Sequence, residues 1–333
     1  MKKHKPDFNQ LLKVIRREIP DRDVLYEFFF GEKFVKLGCG SRYESKNFAQ
    51  ARISAFAHFG YDYSTAWVSE FNFPTKEKHQ KETISLNDAS EIFDRESFDK
   101  SPFLDPDKCD YTMLKDIEGD IPAGMKLIPC GPCGVLENVI RLVGYDNLCM
   151  MLYDDPQLVY DIFEKVGGGL VGHYRQCCKY KTVGAIMSND DWGFNTQTML
   201  SPADMRKYVF PWHKKIVETA HAAGLPIMLH SCGYYGDIVG DLYALGYDAR
   251  HSYEDNIEPV EKAYERFRGK IAVLGGIDLD FVIRSSEEDI TARCKKMLET
   301  ARKHGGYALG TGNSVPDYVP VEKYLAMLKA IKD

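Results

Sequence analysis

Short β-rich runs alternate with helical segments along most of this chain, and this alternation most restricts the folds open to it. Eight strands are predicted, at residues 24–29, 61–68, 125–129, 183–188, 226–230, 247–251, 271–274 and 307–310. Strands that are separated by helices pair in parallel. The chain is therefore predicted to be an α/β protein, with a single (β/α)8 TIM barrel favoured. A doubly wound open sheet is the alternative, but the chain lacks the G-x-G-x-x-G sequence of dinucleotide-binding sheets.

Capping signals predict where several helices begin and end. Ser201, Pro202 and Asp204 form an N-terminal cap for a helix that runs to Gly224, with a kink expected at Pro211. The helix after Ser286 should end at glycines 305–306 and bury Ile290, Cys294, Met297, Leu298 and Ala301. The last helix, after Pro320, should bury Tyr324, Leu325, Leu328 and Ile331.

Residues 1–333 are predicted to form one domain, with an N-terminal helical extension before the first strand. A polar, irregular stretch at about 74–121 is interpreted as a long insertion after the second strand, acting as a lid. Glycines 167–169, within an otherwise helical stretch, indicate either close packing or a break in the helix.

Charge and cysteine usage exclude several classes of protein. The formal net charge is −6 and the isoelectric point is 5.9, which argues against a nucleic-acid-binding protein. No apolar run approaches the roughly 20 residues of a membrane helix, and no apolar stretch follows the charged N-terminus as in a signal peptide. Nine cysteines at irregular spacings in a long chain favour a reduced, cytoplasmic protein.

Polar residues follow the carboxyl ends of the later predicted strands, where barrel enzymes carry their chemistry. In order along the chain these are Asp190, Asp191 and Trp192; His230 and Cys232; His251, Tyr253 and Glu254; Asp278; and Asn313. The grouping of acids, histidines and a thiol at one end indicates a functional site.

His230 and Cys232 are the sharpest local feature. An imidazole and a thiol two residues apart can both reach one zinc ion, with Asp190, Asp191, His251 and Glu254 available as further ligands. The alternative is a packed thiol beside a histidine that is satisfied by a backbone carbonyl.

Two other features carry competing interpretations. The Cys130-Gly131-Pro132-Cys133 stretch resembles a dithiol redox motif, but a simple strand-to-helix turn is favoured. The vicinal side chains of Asp190 and Asp191 point in different directions. One of them could face the site as a base, substrate anchor or metal ligand while the other caps a helix, or both could be structural.

With these motifs the chain resembles the uroporphyrinogen decarboxylase superfamily from about Ser54 onward. The segments that carry the resemblance are 130–134, 144–148, 152–156, 190–194 with Ser201-Pro202, 230–233, 275–278 and 312–313. The resemblance implies a single (β/α)8 barrel and one of two chemistries. One branch decarboxylates porphyrinogens without a cofactor, using an arginine-rich N-terminal segment. The matching stretch here, 26–33, contains no arginine.

The other branch transfers methyl groups to or from corrinoid proteins with the help of zinc. Its His-x-Cys pair matches His230 and Cys232, and the segment 252–254 resembles its glutamate segment. Asn313 stands where thiol-methylating members carry a second cysteine. The chain is therefore closer to the O-demethylases of the superfamily, whose zinc ligands mix acid, histidine and cysteine.

The resemblance leads to a full set of expected site residues. The expected zinc ligands are His230, Cys232 and Glu254, and the expected catalytic residues are Asp190, Asp191 and His251. The residues expected to bind substrate are Asp62, Trp192, Phe194, Tyr253, Asp278 and Asn313.

The predicted function is zinc-dependent transfer of a methyl group from a small donor, such as a methoxylated aromatic compound, to cobalt. The corrinoid (cobalamin) is expected on a partner protein, and the sequence leaves a homodimer open. Neither a nucleic acid nor a membrane is expected as a partner. The alternatives are a cofactor-free lyase of the uroporphyrinogen decarboxylase type and a binding barrel without catalysis.

Overall fold

A computed structural model describes residues 4–75, 86–87 and 91–331 of the chain. The strands of these residues are β1 Tyr63–Ala66, β2 Lys126–Pro129, β3 Ile186–Asn189, β4 Ile227–His230, β5 Ala249–His251, β6 Ala272–Leu274 and β7 Tyr307–Ala308. The helices are α1 Phe8–Ile15, α2 Glu32–Cys39, α3 Phe48–Phe59, α4 Arg95–Lys100, α5 Met113–Asp116, α6 Val135–Val143, α7 Tyr145–Asp154, α8 Pro156–Cys177, α9 Pro202–Asp204, α10 Phe210–Ala222, α11 Val239–Leu245, α12 Val260–Phe267, α13 Leu279–Arg284, α14 Glu287–His304 and α15 Val321–Leu328.

The strands pair in parallel, as their separation by helices predicts. Strands β1 and β2 form one sheet, and β3 to β7 form a second sheet in sequence order. Two isolated parallel bridges, Leu127 with Val183 and Cys130 with Met187, join β2 to the chain at β3. The predicted α/β class is confirmed, and each predicted strand from the second to the eighth overlaps an observed strand.

The first predicted strand, 24–29, is not observed as a strand. It makes two isolated parallel bridges, Leu25 with Leu309 and Phe30 with Val315. On its other side, the backbone N–H of Glu27 donates to the Tyr63 hydroxyl at 2.7 Å, and that hydroxyl also lies 2.6 Å from the Glu27 carbonyl oxygen. A side chain thus takes the place of a backbone partner, which prevents a continuous ladder toward β1.

A buried carboxyl group fastens this segment to the loop after β7. The two oxygens of Glu27 accept from the backbone N–H and the hydroxyl of Thr311, each at 2.7 Å. Burial raises the pKa of Glu27 to about 8, so the group is mostly protonated at neutral pH.

Most helix predictions are confirmed in detail. Helix α14 begins after Ser286 and buries the five residues expected on its inner face. Before Pro211, Met205–Val209 forms a π-helical turn, and the N–H of Phe210 donates to the carbonyl of Met205. Because proline has no N–H to donate, the expected irregularity takes the form of a widened turn. In the last helix Tyr324 is buried, whereas Leu325, Leu328 and Ile331 are only partly buried.

The glycines of α8 serve close packing, and the helix is continuous over 22 residues. A Cβ atom on Gly167 would lie 2.1 Å from the indole of Trp212, and one on Gly172 would lie 2.4 Å from Pro106. These glycines allow α10 and the insertion to approach the helix backbone. The alternative of a break in the helix is therefore wrong.

Part of the predicted insertion lies outside the described residues, namely 76–85 and 88–90. From 91 to 121 the chain forms the short helices α4 and α5 and two 3-10 turns, Pro106–Lys108 and Ile117–Asp120. Its action as a lid stays a prediction. Among the described residues no helix is both long and apolar enough to cross a membrane.

We predict that Glu27→Gln removes part of the pH dependence of stability. The folded-state pKa of Glu27 lies above its usual value of 4.5, so the folded chain binds more protons than the unfolded chain between about 4.5 and 8. The free energy of unfolding should therefore fall as the pH rises through this window, by at most about 1.4 kcal/mol per pH unit for one group. Glutamine resembles the protonated acid and should remove this contribution.

Urea unfolding between pH 4.5 and 8.5 measures the effect, with Glu118→Gln as the control at an exposed glutamate. The control should reproduce the wild-type slope. An unchanged slope in Glu27→Gln would contradict the assignment of a raised pKa to this carboxyl.

Candidate metal and substrate site

The carboxyl ends of three neighbouring strands lie at one level. In the parallel register Asn189 pairs with His230, and His230 pairs with His251. The loops that follow β3, β4 and β5 therefore begin side by side, and they bring the predicted site residues 191, 232 and 252–254 together.

The imidazoles of His230 and His251 meet through their Nδ1 atoms, which are 2.8 Å apart. The Nε2 atom of His251 lies 3.2 Å from the Thr311 carbonyl oxygen, which can only accept a hydrogen bond. In a neutral ring Nε2 of His251 must therefore carry the proton, and its Nδ1 must accept from Nδ1 of His230. The unprotonated atom of His230 is then Nε2, the atom that faces Cys232.

Both rings are held neutral by their surroundings. Burial lowers the pKa of His251 to about 3, and burial followed by the neighbouring His251 lowers the pKa of His230 well below its usual value. Phe28 stacks on His230 with the ring centroids 4.3 Å apart, and Tyr26 packs edge-on against His251. The aromatic neighbours explain why water does not reach these rings.

The sulfur of Cys232 lies at the centre of a polar group. Its Sγ atom is 3.6 Å from Nε2 of His230 and 3.7 Å from the hydroxyl oxygen of Ser252, and it accepts from Nδ2 of Asn313 at 3.2 Å. Burial, and next the charge of Asp191, raises the pKa of the Cys232 thiol. Without a metal the group is therefore a thiol at neutral pH.

Asp191 completes a set of three possible metal ligands. One ligand atom each from Asp191, His230 and Cys232 lies within 4.8 Å of the others. The Asp191 carboxylate also accepts from the backbone N–H of Cys232 at 2.7 Å, which fixes the turn after β4. Asp191 was expected to be catalytic, with a place as a further metal ligand left open, and it lies close to His230 and Cys232.

Glu254 is half-buried and lies outside this group of three. Burial, and next the charge of Asp278, raises its pKa. Its role as a zinc ligand stays a prediction, and Asp191 is the better placed carboxylate.

Asp190 is engaged in structural contacts, and its expected catalytic role stays a prediction. Its carboxylate accepts from the backbone N–H groups of Leu136 and Glu137 at 3.0 and 2.9 Å, and so caps the N-terminus of α6. It also accepts from Nε1 of Trp192 at 3.1 Å and contacts Nε2 of His213 at 2.8 Å. With these contacts the carboxylate has little capacity left for a substrate.

Three residues expected to bind substrate are engaged in structural contacts, and their roles in substrate binding stay predictions. Trp192 is buried against Phe210 and His213. Asp278 caps α13 by accepting from the N–H of Phe281 at 2.9 Å. Tyr253 is buried, with the Arg250 guanidinium over its ring at 4.8 Å.

Asp62 lies at the opposite end of the strands, because it precedes the first residue of β1. Its Oδ1 atom accepts from the backbone N–H of Asp7 at 2.8 Å and pairs with Arg22 and His4. Its expected role in substrate binding stays a prediction. Asn313 contacts Cys232, and half-exposed Phe194 lies edge-on to Tyr145; their roles in substrate binding stay predictions.

Three residues around the candidate site were not predicted from the sequence, namely Phe28, Glu137 and Arg250. Arg250 is buried on β5 and donates to the carbonyls of Ser231 and Ser252, which joins the loops after β4 and β5. The signal for it was a charged residue inside a short predicted strand. Phe28 gave no signal beyond its place in an aromatic run.

Glu137 forms an acidic pair with Asp191. Burial, and next the charge of Asp191, raises the pKa of Glu137 to about 8, and burial also raises the pKa of Asp191. At neutral pH the pair therefore carries less than two full negative charges.

The Cys130 and Cys133 thiols do not have the character of a redox pair. Burial raises the pKa of Cys130 to about 12 and that of Cys133 to about 11. Reactive dithiols carry a thiol of lowered pKa. The interpretation as a strand-to-helix turn, from β2 into α6, is favoured.

Comparison with known proteins places this geometry in a family. The family model for uroporphyrinogen decarboxylase (URO-D) matches residues 130–333. The uroporphyrinogen decarboxylase of Anaeromyxobacter sp. is 24% identical over 188 residues, which cover 56% of this chain and 51% of that protein. The enzyme of the same name from Streptomyces coelicolor is 26% identical over 171 residues, 51% of this chain and 46% of that protein. The chain thus spans about half the length of the curated relatives it matches.

A solved structure described as a methyltransferase from Methanosarcina mazei has a similar fold. The TM-score is 0.68 with 14% sequence identity, and the match covers 96% of both chains. Identity this low supports the fold alone. The family model, however, matches more than half of the chain, from Cys130 through the loops that carry Asp191, His230 and Cys232. The protein belongs to the uroporphyrinogen decarboxylase family.

Proposed function

We propose that this protein is a zinc-dependent methyltransferase. It would take a methyl group from a small methylated donor, such as a methoxylated aromatic compound, and pass it to the cobalt of a corrinoid carried by a partner protein. The observation that carries the proposal is the cluster of Asp191, His230 and Cys232, whose ligand atoms lie within 4.8 Å of one another. Membership of the family supports an enzyme but does not separate its branches.

The donor set fits zinc. One nitrogen, one sulfur and one carboxylate oxygen are the ligands that zinc prefers, and catalytic zinc sites commonly keep a fourth position for substrate or water. The hydrogen bond between the two imidazoles leaves Nε2 of His230 free to bind. A metal-binding histidine almost always donates its other ring N–H, and here His251 receives it.

A zinc ion bound there would supply Lewis acidity to the oxygen that leaves when an ether loses its methyl group. The residues of the chain prepare the site for this chemistry. Cys232 must release a proton when it becomes a ligand, since its thiol pKa is raised. Asn313 donates to the same sulfur, and Phe28 covers the face of His230 and excludes water.

The proposal includes closure of the strands into a (β/α)8 barrel. Segment 24–30 would serve as the first strand, since its bridges at Leu25 and Phe30 attach it to the chain around β7. The bridges at Leu127 and Cys130 join the two observed sheets in the same way. The family of the chain supports this arrangement.

Porphyrinogen decarboxylation is the second candidate, because the curated relatives carry that name. Two features of the chain oppose it. Segment 26–33 contains no arginine to bind the many carboxylates of such a substrate. The loops after β3 and β5 instead present Asp191 and Glu254, whose negative charges would repel the carboxylates of the substrate.

We predict that the wild-type protein binds one zinc ion and that His230→Ala and Cys232→Ser each weaken binding at least about 100-fold. Asp191→Asn should weaken it about tenfold or more, and Glu254→Gln should have little effect. Calorimetry in buffers of different ionisation enthalpy should also show about one proton released per zinc near pH 7, and Cys232→Ser should remove this proton.

Cys109→Ser, at a half-exposed cysteine of the insertion, is the control and should bind zinc like the wild type. A loss of affinity in Glu254→Gln but not in Asp191→Asn would restore the ligand set predicted from sequence. A wild-type protein that takes up no zinc would overturn the metal part of the proposal.

We further predict that replacing His251 affects zinc through His230. His251→Leu removes the acceptor for Nδ1 of His230, so affinity should fall about 10- to 100-fold. His251→Asn can place a carbonyl oxygen near the same point and should retain more of the affinity. Equal loss in both variants would indicate that His251 acts through packing alone.

The activity itself is tested by spectroscopy with free cobalamin, reduced to Co(I), as the methyl acceptor. Methylcobalamin should form from methoxylated aromatic donors with the zinc-loaded protein and not with His230→Ala. Turnover of a porphyrinogen that is insensitive to chelator would instead establish the decarboxylase. If zinc binds but neither reaction occurs, the binding-barrel alternative is favoured.

A further inference from the structure

Arg52 on α3 is a buried cation that has no anionic partner among the described residues. Its relative exposure is 6%, and within residues 4–75, 86–87 and 91–331 no carboxylate forms an ion pair with it. Its Nε atom is buried and has no hydrogen-bond partner in that part of the chain. Its Nη1 atom donates to the hydroxyl of Thr65, at the long distance of 3.4 Å.

Such an arrangement costs stability unless a ligand compensates for it. Burial lowers the pKa of Arg52 only to about 10, so the guanidinium stays charged at neutral pH. Buried charges in proteins are usually paired, because removing a charge from water is expensive. The nearest titratable thiol, Cys130, has a pKa raised to about 12 and offers no negative charge.

Two aromatic rings flank the faces of the guanidinium. Trp67 lies 4.0 Å from it and Phe48 lies 4.7 Å from it, measured to the ring centroids. Rings on the faces leave the in-plane N–H groups for an acceptor, which suits the two oxygens of a carboxylate. A cavity of about 10 Å³ beside Arg52 and Thr65 has room for one water, so the body of a ligand must lie outside it.

A row of aromatic side chains connects Arg52 with the metal-ligand group. Trp67 is 39% exposed and follows β1 at the carboxyl end of the strands. Its ring lies 6.1 Å from Phe28, and Phe28 stacks on His230 at 4.3 Å, both measured between ring centroids. Arg52 and His230 are thus joined by a continuous row of aromatic side chains.

We propose that Arg52 binds a carboxylate of the substrate and that the substrate is a flat molecule with one anionic end. Asp191 and Glu254 lie on the side of the metal-ligand group, near Cys232, and in the metal-free protein their negative charges would repel a carboxylate there. The two sides of the site therefore orient the ligand, with its anionic end at Arg52 and its uncharged end toward Cys232. The reaction at the uncharged end rests on the proposed function, whereas anion binding at Arg52 does not.

Metal-free protein is titrated with benzoate and with benzamide, its neutral analogue of the same shape, by ligand-observed NMR. Without a metal, benzoate cannot bind to zinc instead of to Arg52. The wild type should bind benzoate about tenfold or more tightly than benzamide, since a hydrogen bond to a charged group discriminates by about this factor. Arg52→Met should lose the preference, and Arg52→Lys should keep part of it.

The matched control is Arg42→Met, which removes the same charge from an exposed position shortly before α3. It should keep the preference for benzoate. Equal binding of benzoate and benzamide by the wild type would overturn the proposal even if Arg52→Met fails to fold. A preference that persists in folded Arg52→Met would also overturn it.

Zinc binding is measured separately, which distinguishes the two proposals. Discrimination by charge without zinc uptake would leave the anion site standing and remove the proposed function. Zinc uptake without discrimination between benzoate and benzamide would support the proposed function and remove the anion site at Arg52.

Discussion

The buried carboxylate of Asp190 determines the shape of the site more than any other interaction. It joins the end of β3 to the N-terminus of α6 and to His213 on α10, so the chain can leave the strand in only one direction. Adjacent side chains in extended backbone point to opposite sides. Because Asp190 faces the helices, Asp191 faces Cys232. The ligand position of Asp191 is thus a consequence of how its neighbour is buried.

Much of this architecture follows from the sequence, because it depends on local patterns. Alternating strands and helices fix the α/β class, and the register of parallel strands brings residues 191, 230 and 232 to one end. The inner face of α14 follows from helical spacing alone. The same reasoning places His230 beside Cys232, since two residues that leave one strand cannot be far apart.

The remaining features depend on contacts that local patterns do not encode. Sequence shows that Asp190 and Asp191 point apart, but not which of them faces inward. The strand prediction at 24–29 fails because the Tyr63 hydroxyl occupies the N–H of Glu27. Asp62 was expected to bind substrate, and only the structure shows that it precedes β1 and lies at the amino end of that strand. Arg52 attracted no attention, since a missing partner is visible only in three dimensions.

The contact of Glu27 with Thr311 spans 284 positions of sequence. Phe28 and Asn313, which border the metal-ligand group on two sides, lie next to this contact along the chain. During synthesis the ribosome therefore releases the His-x-Cys pair well before Asn313, Thr311 and the rest of its enclosure exist. A chain arrested before residue 311 would expose the thiol of Cys232 to solvent and oxidants. Completion of the enclosure must therefore await the synthesis of residues 311–313, and it joins segments that lie far apart in the chain.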